Sequence, residues 1–435
     1  MMNQIHRSVI LVILFILSSI SLSAQTIDGL LQQLPQIDSV RMFGVSDSSF
    51  QAFELFITQA IEHNDPEGET YSQRLILRHR GFDKPMVFVT EGYAADYALW
   101  ADYTEELAEL LDANLLVAEH SFFSQSLPDH SPWKSLTQFN VANDLHQINQ
   151  TFKQFYKLPW ISTGISKGGQ TAYYYKYYFP DDVSATVSYV APLNFSATDK
   201  TVFHFLDTVG DQHCREKIKS LQKDLLSRRS IYYRMFSDSV SHRNLTFSRL
   251  GGMEKAFEYN VLEFGFAYWQ WYPVRCENLP DVGGDTLEIF RAFIDAAGYD
   301  FFADQSIADF QPFFYQALTE MGMYTYDMSD FRGMIKHIDT PGFTHALPEG
   351  TNVKFNKKLN KKVRKWLKKK GNNMIFIYGG YDAWSATAVQ TSSKTNALKL
   401  VLPGGSHTTR LTHFDDKTQT TALELLRDWI GSVKE

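Results

Sequence analysis

Trp160-Ile161-Ser162-Thr163-Gly164-Ile165-Ser166-Lys167-Gly168-Gly169-Gln170 is the stretch that decides the fold. A strand-like run from Trp160 to Thr163 meets Gly-Ile-Ser-Lys-Gly, and a helix-compatible segment from Gln170 to Tyr178 follows. A serine on a sharp strand-to-helix turn adopts a strained backbone, and only small residues two before and two after it leave room for that turn. No other segment of the chain carries this pattern, which makes Ser166 the candidate nucleophile.

A serine hydroxyl attacks only when a histidine takes its proton and a carboxylate holds that histidine in the right tautomer. In the α/β-hydrolase arrangement both partners follow the serine, acid before histidine. Tyr378-Gly379-Gly380-Tyr381-Asp382 sets a carboxylate just past one expected strand, and Pro403-Gly404-Gly405-Ser406-His407 sets an imidazole just past the next. One helix-like stretch is expected between them, which brings Asp382 and His407 to the same sheet edge as Ser166. His413 lies near the closing segment instead of a strand end, and Asp415 and Asp416 come after the histidine, in the wrong order. The developing oxyanion needs two donors. One is the backbone N–H of Lys167; the other is assigned to the N–H of Tyr93, after Thr90-Glu91-Gly92, a segment that also reads as an ordinary strand-to-helix turn.

Working outward, Phe50 to Ile61, Ser72 to Arg80 and Pro85 to Thr90 read as strands, the last two flanking a Gly81-Phe82-Asp83-Lys84 turn in an antiparallel opening. Strands at Asn114 to Ala118, Trp160 to Thr163 and Ala185 to Val190 then alternate with helix-like Tyr97 to Leu111 and Leu136 to Phe155, which implies a mostly parallel sheet. From about 196 to 342 the rhythm gives way to long aromatic-rich helical stretches such as Phe257 to Tyr272 and Phe310 to Met323. Strands Met374 to Tyr378 and Lys399 to Leu402 and a closing helix from Gln419 to Val433 resume it. The expected fold is an α/β-hydrolase core, residues 25–195 and 343–435, interrupted by a helical lid subdomain at 196–342.

The chain has 435 residues, 44% of them hydrophobic and 14% aromatic, enough to bury a sizeable core. Residues 1–24 read as a secretory signal peptide: Arg7 in a polar start, an apolar run from Val9 to Ile20, and small residues up to Ala24, after which cleavage is expected. The run is shorter than the ~20 residues a membrane span requires, so a secreted or periplasmic protein without a stable membrane anchor is expected. In that compartment Cys214 and Cys276, the only cysteines, can pair as a disulfide; two buried thiols are the other reading. A formal net charge of −7 argues against nucleic acid as a partner. Ten Lys or Arg residues fall between Lys354 and Lys370, yet Leu359, Val363, Trp366 and Leu367 share one helical face, which reads as a docked surface helix with a solvated basic side. No paired histidines stand at metal-ligand spacing with a carboxylate or cysteine nearby, so neither metal nor cofactor is expected.

Several longer blocks resemble the S37 peptidases, the prolyl tri- and tetrapeptidyl aminopeptidase family, and more distantly the S28 serine peptidases. They are Gln59 to Arg74, Val89 to Tyr93, Glu119-His120, the extended run Gly164 to Gly169, Tyr178 to Val183, Tyr189 to Pro192, Cys214-Arg215, Tyr378 to Ala386 and Pro403 to His407. The chain departs from the family pattern at Ser121 and Ile165. The resemblance implies a triad of Ser166, Asp382 and His407, a lid over a closed site for peptides with a free N-terminus, and cleavage after proline. A carboxylate in a partly desolvated pocket suits recognition of that charged amine, because charge-assisted hydrogen bonds are about twice as strong as neutral ones. Glu91, Glu263 and Glu320 are the candidates. Among the lid aromatics Tyr268, Trp269, Trp271, Phe314 and Tyr315, Trp269 is the foremost candidate to line a proline pocket, although core packing is the commoner fate of such residues. An esterase or other acyl hydrolase would use the same triad, and a non-catalytic surface binding protein would retain the same fold.

Overall fold

The computed structural model describes residues 26–431 apart from Pro66, Ser131 and Pro273; the expected signal peptide and its cleavage point near Ala24 lie outside the described residues. Nine strands, β1 (Ile37–Phe43), β2 (Gln51–Ala60), β3 (Thr70–His79), β4 (Met86–Thr90), β5 (Asn114–Ala118), β6 (Trp160–Ile165), β7 (Ala185–Tyr189), β8 (Met374–Gly379) and β9 (Leu398–Leu402), form one sheet. Their order is β1-β2-β3-β5-β4-β6-β7-β8-β9. β1, β2 and β3 pair antiparallel, β3 joins β5 antiparallel, and every pairing from β5 to β9 is parallel. This is the α/β-hydrolase sheet. β4, β5, β7 and β8 are buried along their whole length, as strands covered on both faces must be.

Helices Gln138–Phe152 and Lys167–Tyr178 cover one face through Leu145, Ile148, Phe152 and Tyr175. Leu107 and Ala108 of Glu106–Leu110 and Ala422, Leu426 and Trp429 of Asp416–Gly431 cover the other. Lys357–Lys370 docks by Leu359, Val363 and Leu367, and its ten cations, counted from Lys354, are all exposed.

Three local expectations are corrected. The strands either side of the Gly81–Lys84 turn do not pair with each other, because β5 lies between them. The Asn114 side chain, at the start of β5, donates to Gly81 O and accepts from the N–H groups of Arg80 and Gly81, so β5 satisfies the turn that a hairpin would have closed. Tyr97 to Leu111 is not one helix but a 3-10 turn at Asp96–Leu99 and a short helix at Glu106–Leu110. Arg78 takes the carbonyls of Ala98 and Trp100 that a continuing helix would need. Between Asp382 and β9 the only regular element is a 3-10 turn, Ala383–Thr387, where a helix was expected.

Between β7 and β8, helices Thr201–Thr208, Gln212–Ser227, Arg229–His242, Met253–Trp271 and Thr286–Ala297 pack around Phe236, Phe257, Phe264 and Phe293. Met253–Trp271 runs through the middle, buried at most of its positions. A disulfide joins Cys214 to Cys276, with Cα atoms 5.6 Å apart, tying the start of Gln212–Ser227 to the segment after Met253–Trp271. Closing a loop of this size constrains the unfolded chain, so replacing both cysteines with serine should lower stability by about 2–4 kcal/mol in denaturant titration. No change in the denaturation midpoint would contradict this.

The turn after β6 is the tightest point of the fold. Ser166 sits at φ 55°, ψ −119°, a left-handed conformation that non-glycine residues rarely take, and its N–H donates to Tyr189 O at 2.8 Å. A Cβ on Gly164 would stand 2.4 Å from both the carbonyl carbon and oxygen of Gly168. The Gly164→Ala variant is therefore expected to lose about 3 kcal/mol or more of unfolding free energy, measured by urea titration, because only backbone can move to relieve the clash.

Candidate active site

The parallel strands β4, β6, β8 and β9 deliver the ends of their following loops to one edge of the sheet. Glu91-Gly92-Tyr93 follows β4, Ser166 follows β6, Asp382 follows β8 and His407 follows β9. Asp382 is fully buried; its Oδ2 lies 2.7 Å from His407 Nδ1 while its Oδ1 accepts from the Trp384 N–H. The pairing leaves His407 Nε2 without a protein partner among the described residues, on the wall of a cavity that Ser166 also lines. The His407 N–H donates to Gln270 O at 2.8 Å, filling one of the carbonyls that the end of Met253–Trp271 would leave unpaired, and Trp271 meets the imidazole edge-on at 5.4 Å.

Beside the serine, the β4 loop rests directly on the elbow. A Cβ on Gly92 would stand 2.6 Å from Gly168 N and 2.7 Å from Lys167 Cβ, so this approach requires glycine. Neither the Tyr93 N–H nor the Lys167 N–H donates to a protein acceptor among the described residues. Beneath the loop, buried Glu119 pairs with Arg74 and accepts from the Ala95 N–H and the Ser126 hydroxyl. Lys167 is only 1% exposed, and burial pushes its pKa well down. Its Nζ donates to Gly92 O at 2.6 Å.

Two cavities meet at Ser166. The wider, about 1150 Å³, is lined by Glu91, Tyr93, Phe123, His407 and Arg410, with exposed Leu127, Ile165, Trp271 and Phe310 around it. The narrower, about 220 Å³, runs between core and helical insertion and is lined by Tyr93, Gln170, Phe301, Phe310, Phe313, Tyr324 and Trp384, with Glu263 in its wall. Glu263 Oε2 accepts from the hydroxyls of Tyr324 and Tyr326 at 2.8 and 2.5 Å, while Oε1 takes no protein partner among the described residues. Burial pushes the Glu263 carboxyl up to about 7, against the opposing pull of those hydroxyls.

The three carboxylate candidates therefore separate. Glu263 and Glu91 each line a cavity shared with Ser166, and Glu91 is held by the Tyr97 hydroxyl and the Gly92 N–H. Glu320 lines neither; it accepts from the Gln138 N–H at 2.7 Å and from Asn356, capping the start of a core helix whose unpaired N–H groups attract a carboxylate. Trp269 also lies off the site, buried against Tyr272 of the insertion and Tyr381 of the loop after β8. Tyr268 and Phe314 are buried in the insertion's core, and Tyr315 packs against Trp133; Trp271 alone of the five aromatics lines either cavity. Sequence reading missed Phe310, Phe313, Tyr324 and Tyr326. The Tyr324-Thr325-Tyr326 pair of hydroxyls aimed at one acid has no local signature, since Glu263 is distant in sequence.

The arrangement suits acyl transfer: a strained serine, an imidazole oriented by a buried carboxylate, and two unpaired backbone donors beside it. Among the described residues one group has metal-ligand proximity, Asp211 with Cys214 and Cys276, and its sulfurs are joined in the disulfide, which removes them as thiolate ligands.

The chain matches the family model for PS-10 peptidase S37 over residues 27–434. It is 29% identical over 400 residues to the prolyl tri/tetrapeptidyl aminopeptidase of Streptomyces mobaraensis, a match covering 89% of this chain and 82% of that protein. Among solved structures, the proline iminopeptidase of Mycobacterium smegmatis aligns with 91% of this chain and 100% of its own at 12% identity, TM-score 0.38. The peroxisomal α/β-hydrolase Lpx1 of Saccharomyces cerevisiae aligns with 89% of this chain and 92% of its own at 11% identity, TM-score 0.37. With a family match spanning nearly the whole of its length, the chain belongs to the S37 peptidases and is a serine peptidase of α/β-hydrolase fold.

Proposed function

We propose that this protein is a secreted serine exopeptidase that removes tri- or tetrapeptides from unblocked N-termini by cutting after proline. The observation that carries this reading is that Ser166 and the buried carboxylate Glu263 line the same narrow cavity. A peptide entering amine first would be stopped by its charge on Glu263 Oε1, with the scissile carbonyl left at the serine. The apolar rings of Phe310, Phe313 and Trp271 offer the surface that a proline ring requires, and the wider cavity takes the remainder of the substrate. Residues 196–342 act as the lid that closes the amine end. The named activity of the Streptomyces mobaraensis relative supports the same specificity. Secretion rests on the leader read in residues 1–24 and on the disulfide, a bond of oxidising compartments.

In this mechanism Ser166 Oγ adds to the scissile carbonyl while His407 Nε2 takes its proton, and Asp382 stabilises the imidazolium through Nδ1. The oxyanion receives the N–H groups of Tyr93 and Lys167. Collapse breaks the C–N bond as His407 returns the proton to the leaving amine. Water then adds to the ester carbonyl as His407 takes its proton; the bond to Ser166 Oγ breaks, His407 returns the proton to Oγ, and the short peptide is released.

Replacing Ser166 with alanine should lower kcat by about 10⁴-fold or more, and Asp382→Asn by about 10⁴-fold, with the fold retained. A fluorophosphonate probe should label the parent protein and not Ser166→Ala; labelling elsewhere, or activity surviving in Ser166→Ala, would overturn the serine assignment. Mass spectrometry of products from an unblocked, proline-containing peptide and from its acetylated form tests the direction of cleavage. Equal turnover of both would refute amine recognition.

Glu263→Gln should raise KM for the free-amine peptide by about tenfold to a hundredfold, the worth of a hydrogen bond to a charged group. Because burial pushes the Glu263 carboxyl up to about 7, lowering the pH through that value protonates Glu263 and removes the charge that holds the amine. KM for free-amine peptides should therefore climb as pH falls below about 7, and the climb should vanish in Glu263→Gln. A KM profile unchanged by the substitution would remove Glu263 from the reading.

A further inference from the structure

Lys167 follows the nucleophile directly, and its side chain turns back under the β4 loop. Its Nζ donates to Gly92 O at 2.6 Å and lies over the rings of Tyr93 and Phe123, 5.5 and 5.1 Å from their centroids. It forms no ion pair among the described residues; Glu91, whose charge acts on it through space, is engaged by Tyr97 and the Gly92 N–H. A lysine buried without a contacting carboxylate is costly to the fold.

What that interaction accomplishes follows from the geometry of one amide. Gly92 C=O and Tyr93 N–H belong to the same peptide unit, and no peptide bond among the described residues is cis. In a planar trans peptide the two groups point in opposite directions. Gripping the carbonyl therefore aims the N–H away from the Lys167 ammonium, and Tyr93 lines both of the cavities that Ser166 lines. Glycine at position 92 is required for the close approach to Gly168, but glycine also makes this plane easy to turn over. Turned over, it would present a carbonyl where the oxyanion must form. The neighbouring bonds, Gly92 N–H to Glu91 and His120 N–H to Tyr93 O, belong to the peptide units before and after and do not hold this one.

We propose that the Lys167 side chain is a positioning residue that locks the Gly92–Tyr93 peptide in its donor orientation and strengthens the Tyr93 N–H by polarising the carbonyl of the same amide. The proposal rests on the reading of Tyr93 N–H as an oxyanion donor. One residue then supplies one donor from its backbone and sets the other with its side chain, which couples the two halves of the oxyanion site across the gap between β4 and β6.

The test is Lys167→Met, of similar length and without a donor, alongside Lys167→Arg, which retains one. Both are assayed for kcat and KM on a free-amine prolyl peptide, for affinity toward a peptide boronate that forms a tetrahedral adduct on serine, and for affinity toward the unreactive product peptide. Loss of an oxyanion donor costs about 10²–10³ in kcat. Lys167→Met should show a loss of that order with KM and product affinity within about threefold of the parent, and boronate affinity should fall by the same factor as kcat. Lys167→Arg should recover at least part of both losses. If Lys167→Met does not fold, Lys167→Gln, one atom short of the carbonyl, carries the same expectation. A kcat within about threefold of the parent, a kcat loss with boronate affinity intact, or a parallel loss of product affinity each overturns the proposal. Ser166→Ala in the same assays separates the two readings: its full activity would defeat the serine mechanism, whereas an inactive Ser166→Ala beside a fully active Lys167→Met defeats only the role of the lysine.

Discussion

The end of β4, the end of β6 and the start of the Lys167–Tyr178 helix come together with no space for a single extra carbon. Gly92 lies against Gly168 and Lys167, and Gly164 lies against Gly168 and the carbonyl of Thr90. This backbone-on-backbone contact accompanies the left-handed turn at Ser166 and rests Gly92 on the backbone of Lys167 and Gly168. A packed interior yields little to such a clash, so the strain at Ser166 is held by its surroundings instead of relaxing. Gly169 extends the constraint to the β7 side, where a Cβ would meet Ala191.

The remaining chemistry is attached to that point by polar contacts whose partners come from distant segments. Asp382 reaches His407 across the gap between β8 and β9, and the helical insertion reaches the same histidine through the carbonyl of Gln270 and the ring of Trp271. The far side of the histidine loop is held by Glu106, which accepts from the N–H groups of Leu411 and Thr412 and from the Tyr189 hydroxyl. Met253–Trp271 is thus bonded directly to the histidine loop. Moving Met253–Trp271 would disturb His407 and the cavity lined by Glu263 together.

The elements easiest to read from sequence were those decided by local physics. The buried strand at Asn114–Ala118 announces itself as a short apolar run, and the glycine spacing around Ser166 is a steric requirement within five residues. Tyr97 to Leu111 carried a helical pattern, but Arg78 captured its carbonyls, and a long-range partner of that kind leaves no trace in a window. The order of strands likewise depended on the Asn114 side chain, which closes the Gly81–Lys84 turn from another strand. Burial, not chemical type, sorted the candidates near the site: Glu263 faces a cavity while Glu320 caps a helix, and Trp271 faces it while Trp269 enters the core.

Sequence alone determined the α/β-hydrolase fold class, the family, and the positions Ser166, Asp382 and His407 as residues following strand ends, because parallel strands carry every such loop to one edge. Only the tertiary structure decided what surrounds them. Which acid, which rings and which face of Lys167 meet the cavity depends on the rotation of helices and loops against one another. That rotation is set by contacts between residues far apart in the chain, such as Tyr324 and Tyr326 on Glu263 and Lys167 on Gly92.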